Sequence, residues 1–209
     1  MKIKLPEIIP IFPLSGVIFF PKTNLPLNIF EPKYLALIHD CFNSNKYMGM
    51  IQAKKNSSNV YSIGCLGKIT EHKITKDNRV LVNLTGITRF EIKSEIYNDK
   101  IYREFKVSYE KFYTDLDEKK QTVIGEKINE IFQKTKIFFE KNGLLLNWNE
   151  FEKLNQDQKI NTLAMIAPIS NEEKQTILES ISIESKVKIL SEIIEFYLHE
   201  KSSTNITLQ

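Results

Sequence analysis

The sequence predicts an α+β protein, in which a β-rich, proline-rich front half forms a small barrel or closed sheet and an all-helical half follows. Two patterns indicate this division. Before about residue 111, short stretches of alternating apolar and polar residues are bounded by turn residues. After about residue 122, apolar residues recur at three- and four-residue spacing, the period of an amphipathic helix. We therefore expect a β-rich subdomain at residues 1–110 and a helical subdomain at residues 111–209.

The stretch from residue 10 to residue 34 holds five of the chain's seven prolines together with many large apolar residues. Because proline fixes φ and lacks an N–H, this stretch can form neither one continuous helix nor one central strand. We expect short extended segments bent at Pro13, Gly16, Pro21 and Pro26. From Pro32 the spacing becomes helical, and a short helix is predicted whose apolar residues are Tyr34, Leu35, Ile38 and Phe42.

Residues 47–109 have the pattern of a series of short strands. They cover residues 47–51, 61–67, 69–74, 79–84, 87–92 and 102–109. Lys76-Asp77-Asn78 is a turn between two of them, and Thr85-Gly86 is expected to break the chain between two others. Residues 80, 82 and 84 are apolar and lie on one face of their strand. Close spacing of such strands favours a curled or closed sheet.

The helical half predicts four helices. The first begins near Thr122, ends at Asn142-Gly143, and has an apolar stripe made of Ile124, Ile128, Ile131, Phe132, Thr135, Phe138 and Phe139. The second covers residues 155–166, the third is capped by Ser170 or Asn171, and the fourth begins at residues 182–185. Residues 202–209 form a polar tail.

Charge and hydropathy exclude several classes of function. The net charge of +3 is too small to dictate a polyanionic partner, and arginine occurs only at positions 79, 89 and 103, which disfavours base recognition. No apolar run approaches the roughly 20 residues that cross a bilayer. Pro10, Pro13 and Gly16 interrupt the apolar run near the N-terminus, where a secretory signal would need its core. We expect a cytoplasmic protein that does not contact membranes.

The sequence predicts no catalytic residues, no metal site and no cofactor. None of the seven glycines begins the Gly-x4-Gly-Lys-Ser/Thr loop of an ATPase, and metal-ligand pairs such as Cys-x2-Cys are missing. Cys41 with His72, or Cys65 with His39, remains open as a nucleophile pair. Buried free thiols and solvated histidines are the simpler interpretation, and no disulfide is expected in a cytosolic chain.

Several segments resemble one family. Ile11-Phe12-Pro13-Leu14, the segment at residues 29–34, Gly86-Ile87-Thr88-Arg89-Phe90 and the helical segments at 171–179 and 186–190 are similar, in this order, to the Lon protease N-terminal (substrate-binding) domain family. Lys33 stands where the family usually has arginine, and Asn78 stands where it commonly has glycine. The resemblance covers roughly residues 8–198 and implies a PUA-like β pseudo-barrel with a short helix, followed by a helical bundle. We expect a stand-alone member without the ATPase and peptidase modules.

The resemblance implies a non-enzymatic module for protein quality control that binds unfolded or apolar polypeptide segments. A separate protease or chaperone is a further expected partner, and self-association through the helical half is an alternative. Candidate binding residues are Phe30, Tyr34, Tyr61 and Phe90. Glu31 and Arg89 lie in apolar neighbourhoods, and we expect them to form a structural ion pair between the first helix and the barrel. The alternative is that one of the two contacts a group of the ligand.

Two alternatives stay open. The first is RNA binding, since PUA-like folds often serve RNA-binding proteins, and the second is a small-ligand or scaffold role. For RNA binding, the basic candidates are Lys106, Lys111, Lys119 and Lys120. Acidic residues are interspersed among them, at Glu104, Glu110, Asp115, Asp117 and Glu118, which favours an ordinary solvated face of mixed charge.

Overall fold

A computed structural model describes residues 4–117 and 125–204 of the chain. The chain divides into two compact units, Met1–Asp117 and Glu118–Gln209. The first unit contains six strands, one α-helix and one 3-10 helix, and the described part of the second unit is helical. This arrangement confirms the predicted α+β class. The predicted subdomain limits, 1–110 and 111–209, stay a prediction.

The strands of the first unit form one mixed sheet that closes on itself. In chain order the elements are β1 (Ile8–Leu14), β2 (Asn24–Ile29), α1 (Pro32–Phe42), β3 (Tyr47–Gln52), β4 (Ile63–Ile74), β5 (Val80–Ile96), β6 (Glu104–Ser108) and the 3-10 helix (Glu110–Leu116). The sheet order is β2-β5-β4-β3-β1-β6, and β6 also pairs with β5. The last pairing closes a ring of five strands, and β2 lies outside the ring against β5.

The interior of this barrel is filled by alternate residues of its strands. A buried cluster consists of Ile9, Ile11, Ile51, Leu66, Phe90, Phe105, Val107 and Tyr109. Alternation follows from the two-residue period of a strand, which sends successive side chains to opposite faces. In β6, for example, Phe105 and Val107 are buried while Lys106 between them is exposed.

Strand β1 runs unbroken through Pro10 and Pro13, and Pro26 lies within β2, so the bends expected at Pro13 and Pro26 are wrong. The Ile11 N–H donates to Arg103 O at 2.9 Å, so the backbone nitrogen of Ile11 faces β6. Backbone directions alternate along a strand, and the nitrogen of Pro13 therefore faces the β6 side as well. The β1–β6 pairing ends at Pro10, so β6 does not pair with Pro13. Pro10 faces β3, whose parallel pairing begins only at Ile11. Each proline therefore stands where no partner needs its missing N–H, which is why a paired strand tolerates both.

The expected break at Thr85-Gly86 is also wrong, because β5 is continuous from Val80 to Ile96. Gly86 serves close packing within the strand. A Cβ at this position would lie 2.2 Å from the backbone oxygen of Phe20, so only glycine lets the two backbones approach. The turn before β5 is as predicted: Asn78 has φ of 61°, a conformation that asparagine tolerates.

The described helices of the second unit are α2 (Gly125–Lys141), α3 (Trp148–Glu152), α4 (Gln156–Ile166), α5 (Asn171–Glu179) and α6 (Ile183–Thr204). The apolar stripe of α2 is buried at Ile128, Ile131, Thr135, Phe138 and Phe139, as the spacing predicts. Thr122, Ile124 and residues 205–209 lie outside the described residues. Capping boxes at Asn155 and Ser170 begin α4 and α5 and satisfy backbone N–H groups there.

Helix α3 is absent from the sequence prediction. It is a short helix that begins at the cap residue Asn147, and aromatic contacts hold it against α2. The Trp148 ring lies 6.2 Å from the Phe139 ring, and the Phe151 ring lies 5.6 Å from the Phe132 ring, both between centroids. A five-residue helix is too short to show a helical period in the sequence.

Candidate functional site

Part of the sheet extends past the five-stranded ring. Strand β3 pairs with β4 only as far as Lys68, and β6 pairs with β5 only from Glu91 onwards. The remaining parts of β4 and β5 pair with each other, and β2 pairs with β5 on its other side. We call residues 24–30, 69–74 and 79–85 the three-stranded arm. At its tip Ile29, Val80 and Ile74 lie side by side as cross-strand partners.

The arm exposes three large apolar side chains. Phe30 is 62% exposed, Ile74 is 67% exposed and Leu81 is 40% exposed. Because Leu81 is the partner of Asn28, it shares a face with Phe30, whereas Ile74 lies on the opposite face. The guanidinium of Arg79 lies 5.9 Å from the Phe30 ring centroid, at the outer limit of a cation–π contact. Apolar area is therefore available to a partner on both faces of the arm.

The structure does not gather the four predicted binding residues into one site. Phe30 lies on the arm, and Tyr34 is a half-buried residue of α1 whose ring stacks on Phe12 at 4.0 Å between centroids. Tyr61 is half-buried just before β4 begins, at the end of that strand opposite Ile74. Phe90 is fully buried in the barrel core and cannot line a surface site. Phe90 is therefore a core residue, because its position in β5 faces inward.

Arg89 forms a buried ion pair with Asp115 of the 3-10 helix. Its Nε and Nη2 donate to the two carboxylate oxygens at 2.8 Å each, and its backbone N–H donates to Oδ2 at 3.0 Å. The side chains are 1% and 8% exposed. The guanidinium also lies 4.2 Å from the Phe112 ring centroid. This two-point contact attaches the 3-10 helix to β5.

Glu31 is not the partner of Arg89, which corrects the predicted pair. Glu31 precedes α1 at the surface, and its carboxylate lies 3.4 Å from Lys33 Nζ, with both side chains about half exposed. Asp115 takes the expected place because the 3-10 helix folds back onto β5. Nothing in the local spacing of residues 110–116 signals that return, so the sequence gives no way to select this carboxylate.

A cleft of about 390 Å³ lies between the end of α1, the start of β1 and β6. Within it the Tyr102 hydroxyl donates to Asp40 Oδ2 at 2.5 Å. Burial, together with this hydrogen bond, raises the pKa of Tyr102 to about 12. The same hydrogen bond lowers the pKa of Asp40. Both shifts favour the neutral phenol of Tyr102 and the ionised carboxylate of Asp40, the two states that this hydrogen bond joins.

The thiols do not have the environment of a nucleophile. Both Cys41 and Cys65 are buried, and neither forms a disulfide. Burial raises the pKa of Cys41 to about 12, and its Sγ donates to Tyr47 O at 3.3 Å. A reactive cysteine needs the opposite shift, toward the thiolate. The His72 ring contacts the Phe42 ring at 4.2 Å, and His39 is largely exposed whereas Cys65 is fully buried.

A second cleft, of about 360 Å³, is lined by basic, aromatic and acidic residues, which makes it the place to judge the RNA-binding alternative. Lys93, Lys106 and Tyr113 line it, but Glu7 and Glu110 line it too. Its mixed charge does not favour a polyanion. Lys119 and Lys120, the other half of the predicted basic segment, lie outside the described residues.

The described parts of the chain contain neither a metal-binding cluster nor a helix that could span a membrane. Residues 4–117 and 125–204 contain no cluster of three or more histidine, cysteine or carboxylate side chains able to hold a metal ion. Among the helices of the same residues, none combines the length and the apolar composition that a bilayer span requires.

The fold resembles two solved structures. One is the Lon N-terminal domain protein from Xanthomonas campestris, with a TM-score of 0.64, 17% identity, and coverage of 90% of this chain and 97% of that chain. The other is the N-terminal domain of Mycobacterium avium complex Lon protease, with a TM-score of 0.65, 13% identity, and coverage of 90% and 98%. At these identities the comparison establishes the fold.

Sequence comparison establishes the family. The model of the ATP-dependent protease La (LON) substrate-binding domain matches residues 8–195. Lon protease from Elusimicrobium minutum is 26% identical over 98% of this chain and 26% of its own length. Lon protease 2 from Myxococcus xanthus is 22% identical over 91% of this chain and 24% of its own length. The chain thus spans about a quarter of the length of these relatives. It belongs to the Lon protease substrate-binding domain family.

Proposed function

We propose that this chain recognises polypeptides, that it binds exposed apolar or unfolded segments, and that it makes or breaks no bond itself. The observation that carries the proposal is that the three-stranded arm exposes large apolar side chains on both faces, Phe30 and Leu81 on one face and Ile74 on the other. Large apolar groups exposed together at a surface commonly mark an interaction site. An unfolded chain offers the matching apolar side chains, which a folded protein buries.

Family membership supports the same function. The matched family is described as a substrate-binding domain, and the matched relatives are named Lon proteases. Because this chain matches only about a quarter of their length, we do not extend their proteolytic activity to it. We propose that it acts in cytoplasmic protein quality control and delivers clients to a separate protease or chaperone.

The charged residues beside Phe30 indicate which client segments the arm should prefer. The Arg79 guanidinium lies beside the Phe30 ring, and Asp77 pairs with Arg79 at 2.8 Å. The rim of the arm therefore carries both signs of charge around apolar groups. This arrangement favours client segments selected by apolar content more than by net charge.

Crosslinking to a model protein in its unfolded and folded forms tests the proposal. The chain should capture a permanently unfolded, reduced and alkylated protein, and should capture its native form far less. A folded inert protein of equal size is the control for non-specific crosslinking. Capture of the unfolded form no greater than that control contradicts the proposed function.

A further inference from the structure

We propose that the outer edge of β4, at residues 70–74, takes an extended segment of the client as an additional strand. This inference rests on the proposed function and adds the mode of recognition and the class of segment recognised. It follows from the directions of the peptide groups in the three-stranded arm.

The peptide groups of His72 and Ile74 point away from β5. The Thr75 N–H donates to Arg79 O at 2.9 Å, which makes Thr75 and Arg79 a hydrogen-bonded pair. Hydrogen-bonded and non-hydrogen-bonded pairs alternate along an antiparallel ladder. Lys73 with Leu81 is therefore hydrogen-bonded, whereas Ile74 with Val80 and His72 with Val82 are not.

No strand of the described chain covers this side of β4. The pairing with β3 ends at Lys68, and the last backbone contact in that direction is the Ile69 N–H, which donates to Lys46 O at 2.9 Å. Beyond it, residues 70–74 are exposed. Over the residues that the structure describes, the outward N–H and C=O groups of His72 and Ile74 have no backbone partner.

The outward backbone groups of β4 are best matched by another extended polypeptide. N–H and C=O groups repeated at every second residue match the backbone of another extended chain and no other common ligand. Recognition through the backbone also suits a module that binds many sequences, because every polypeptide carries the same peptide groups.

The other free edge of the arm is blocked, which is why we assign the site to β4. At β2, Thr23 O accepts from the Gly86 N–H at 2.9 Å, so by alternation Asn24, Pro26 and Asn28 direct their backbone groups outward. Pro26 has no N–H, so the middle position of that edge cannot donate. Proline on an edge strand is a common device against unwanted pairing. The β4 edge has no proline between residues 69 and 74.

The side chains beside the edge define the class of segment. On one face, Ile74 is exposed and the His72 ring packs against Phe42. On the other face, Glu71 and Lys73 are both exposed. A strand docked here would place alternate side chains against an apolar face and a charged face. The preferred client is therefore an extended segment that alternates apolar and polar residues, the pattern of a strand from an unfolded β protein.

Two variants at one position test this edge. His72→Pro removes the outward N–H, as Pro26 does at β2, whereas His72→Val keeps it and equally removes the imidazole contact with Phe42. The probe is a short fluorescent peptide that alternates valine with threonine, used with and without N-methylation of its backbone. Melting temperature and circular dichroism establish that each variant is folded, and Ile74→Pro with Ile74→Val serves as a second pair if His72→Pro unfolds.

The expected result is that His72→Pro binds the peptide at least about tenfold more weakly than His72→Val does, and that N-methylation weakens binding to the unchanged protein by at least about tenfold. Equal binding by both variants and both peptides would overturn the edge site and leave the proposed function intact. Failure to bind any peptide or any unfolded protein would overturn both. Loss of a dimer in His72→Pro, with peptide binding unchanged, would assign the edge to a second copy of this chain and overturn the proposal.

Discussion

Arg89 of strand β5 and Asp115 of the 3-10 helix form a buried two-point ion pair, with both Arg89–Asp115 side-chain hydrogen bonds at 2.8 Å. Sequence proximity does not join these residues, which are 26 positions apart. The pair fixes where the chain leaves the barrel after β6.

Arg89→Ala should lower the free energy of unfolding of the first unit by about 3–5 kcal/mol, because the Asp115 carboxylate would stay buried without its cation. Urea denaturation followed by circular dichroism measures this. The matched control is Arg79→Ala, whose pair with Asp77 is half exposed and should contribute no more than about 1 kcal/mol. Unchanged stability of Arg89→Ala together with lost client binding would contradict the structural role.

Gly86→Ala should destabilise the same unit by about 1–3 kcal/mol, because its Cβ would lie 2.2 Å from Phe20 O and the backbone would have to move. Thr85→Ala, one residue earlier, removes exposed side-chain hydrogen bonds to Asn24 and Thr70 and should cost no more than about 1 kcal/mol. Thermal melts of both variants check the prediction. It is wrong if Gly86→Ala melts at the same temperature as the unchanged protein.

Ser170→Ala should destabilise the second unit by about 1 kcal/mol, because Ser170 Oγ accepts from the Glu173 N–H at the start of α5. Ser170→Gly should cost only a few tenths of a kcal/mol, about the difference known for glycine caps. Trp148 is the only tryptophan and lies in this unit, so its fluorescence during urea unfolding reports the change. An equal loss in both variants would argue against the cap.

The pKa of Tyr102 predicts a loss of stability at high pH. Burial raises this pKa from 10.0 to about 12, so the folded state favours the neutral phenol. The stabilisation is complete below pH 10 and is lost as pH rises toward 12. Tyr102→Phe should make the decline shallower in urea unfolding across that range. Tyr97→Phe, at a side chain that is 90% exposed, should leave the decline as it is.

Patterns within single elements were enough to predict much of the fold. The helical period of α2, the cap at Ser170 and the left-handed turn residue Asn78 are all local, and each is present in the structure. The bend at Pro13 was predicted wrongly because a proline interrupts a strand only where a neighbouring strand would accept a hydrogen bond from the missing N–H. Whether such a neighbour is present is set by the limits of β3 and β6 pairing, which no local pattern contains.

The candidate site was less predictable because exposure depends on the whole sheet. Phe30 directly follows β2 and Phe90 lies within β5, yet Phe30 is 62% exposed and Phe90 is fully buried. Ile74 and Leu81 lie in segments predicted as strands, but their exposure follows from β3 and β6 ending before the arm. The pairing of Asp115 with Arg89 could not be predicted either, because it requires the 3-10 helix to pack against β5, which is also a long-range contact.

The affinity for an unfolded polypeptide tests the central claim most directly. Fluorescence anisotropy with a labelled, permanently unfolded protein compares the unchanged chain with Phe30→Ser and with Tyr97→Ser, an equally drastic change at another exposed aromatic residue. We predict that Phe30→Ser binds about tenfold more weakly, a difference of about 1.4 kcal/mol, and that Tyr97→Ser binds as the unchanged chain does. Equal affinity of all three proteins, or no binding by any of them, would contradict recognition of clients by the three-stranded arm.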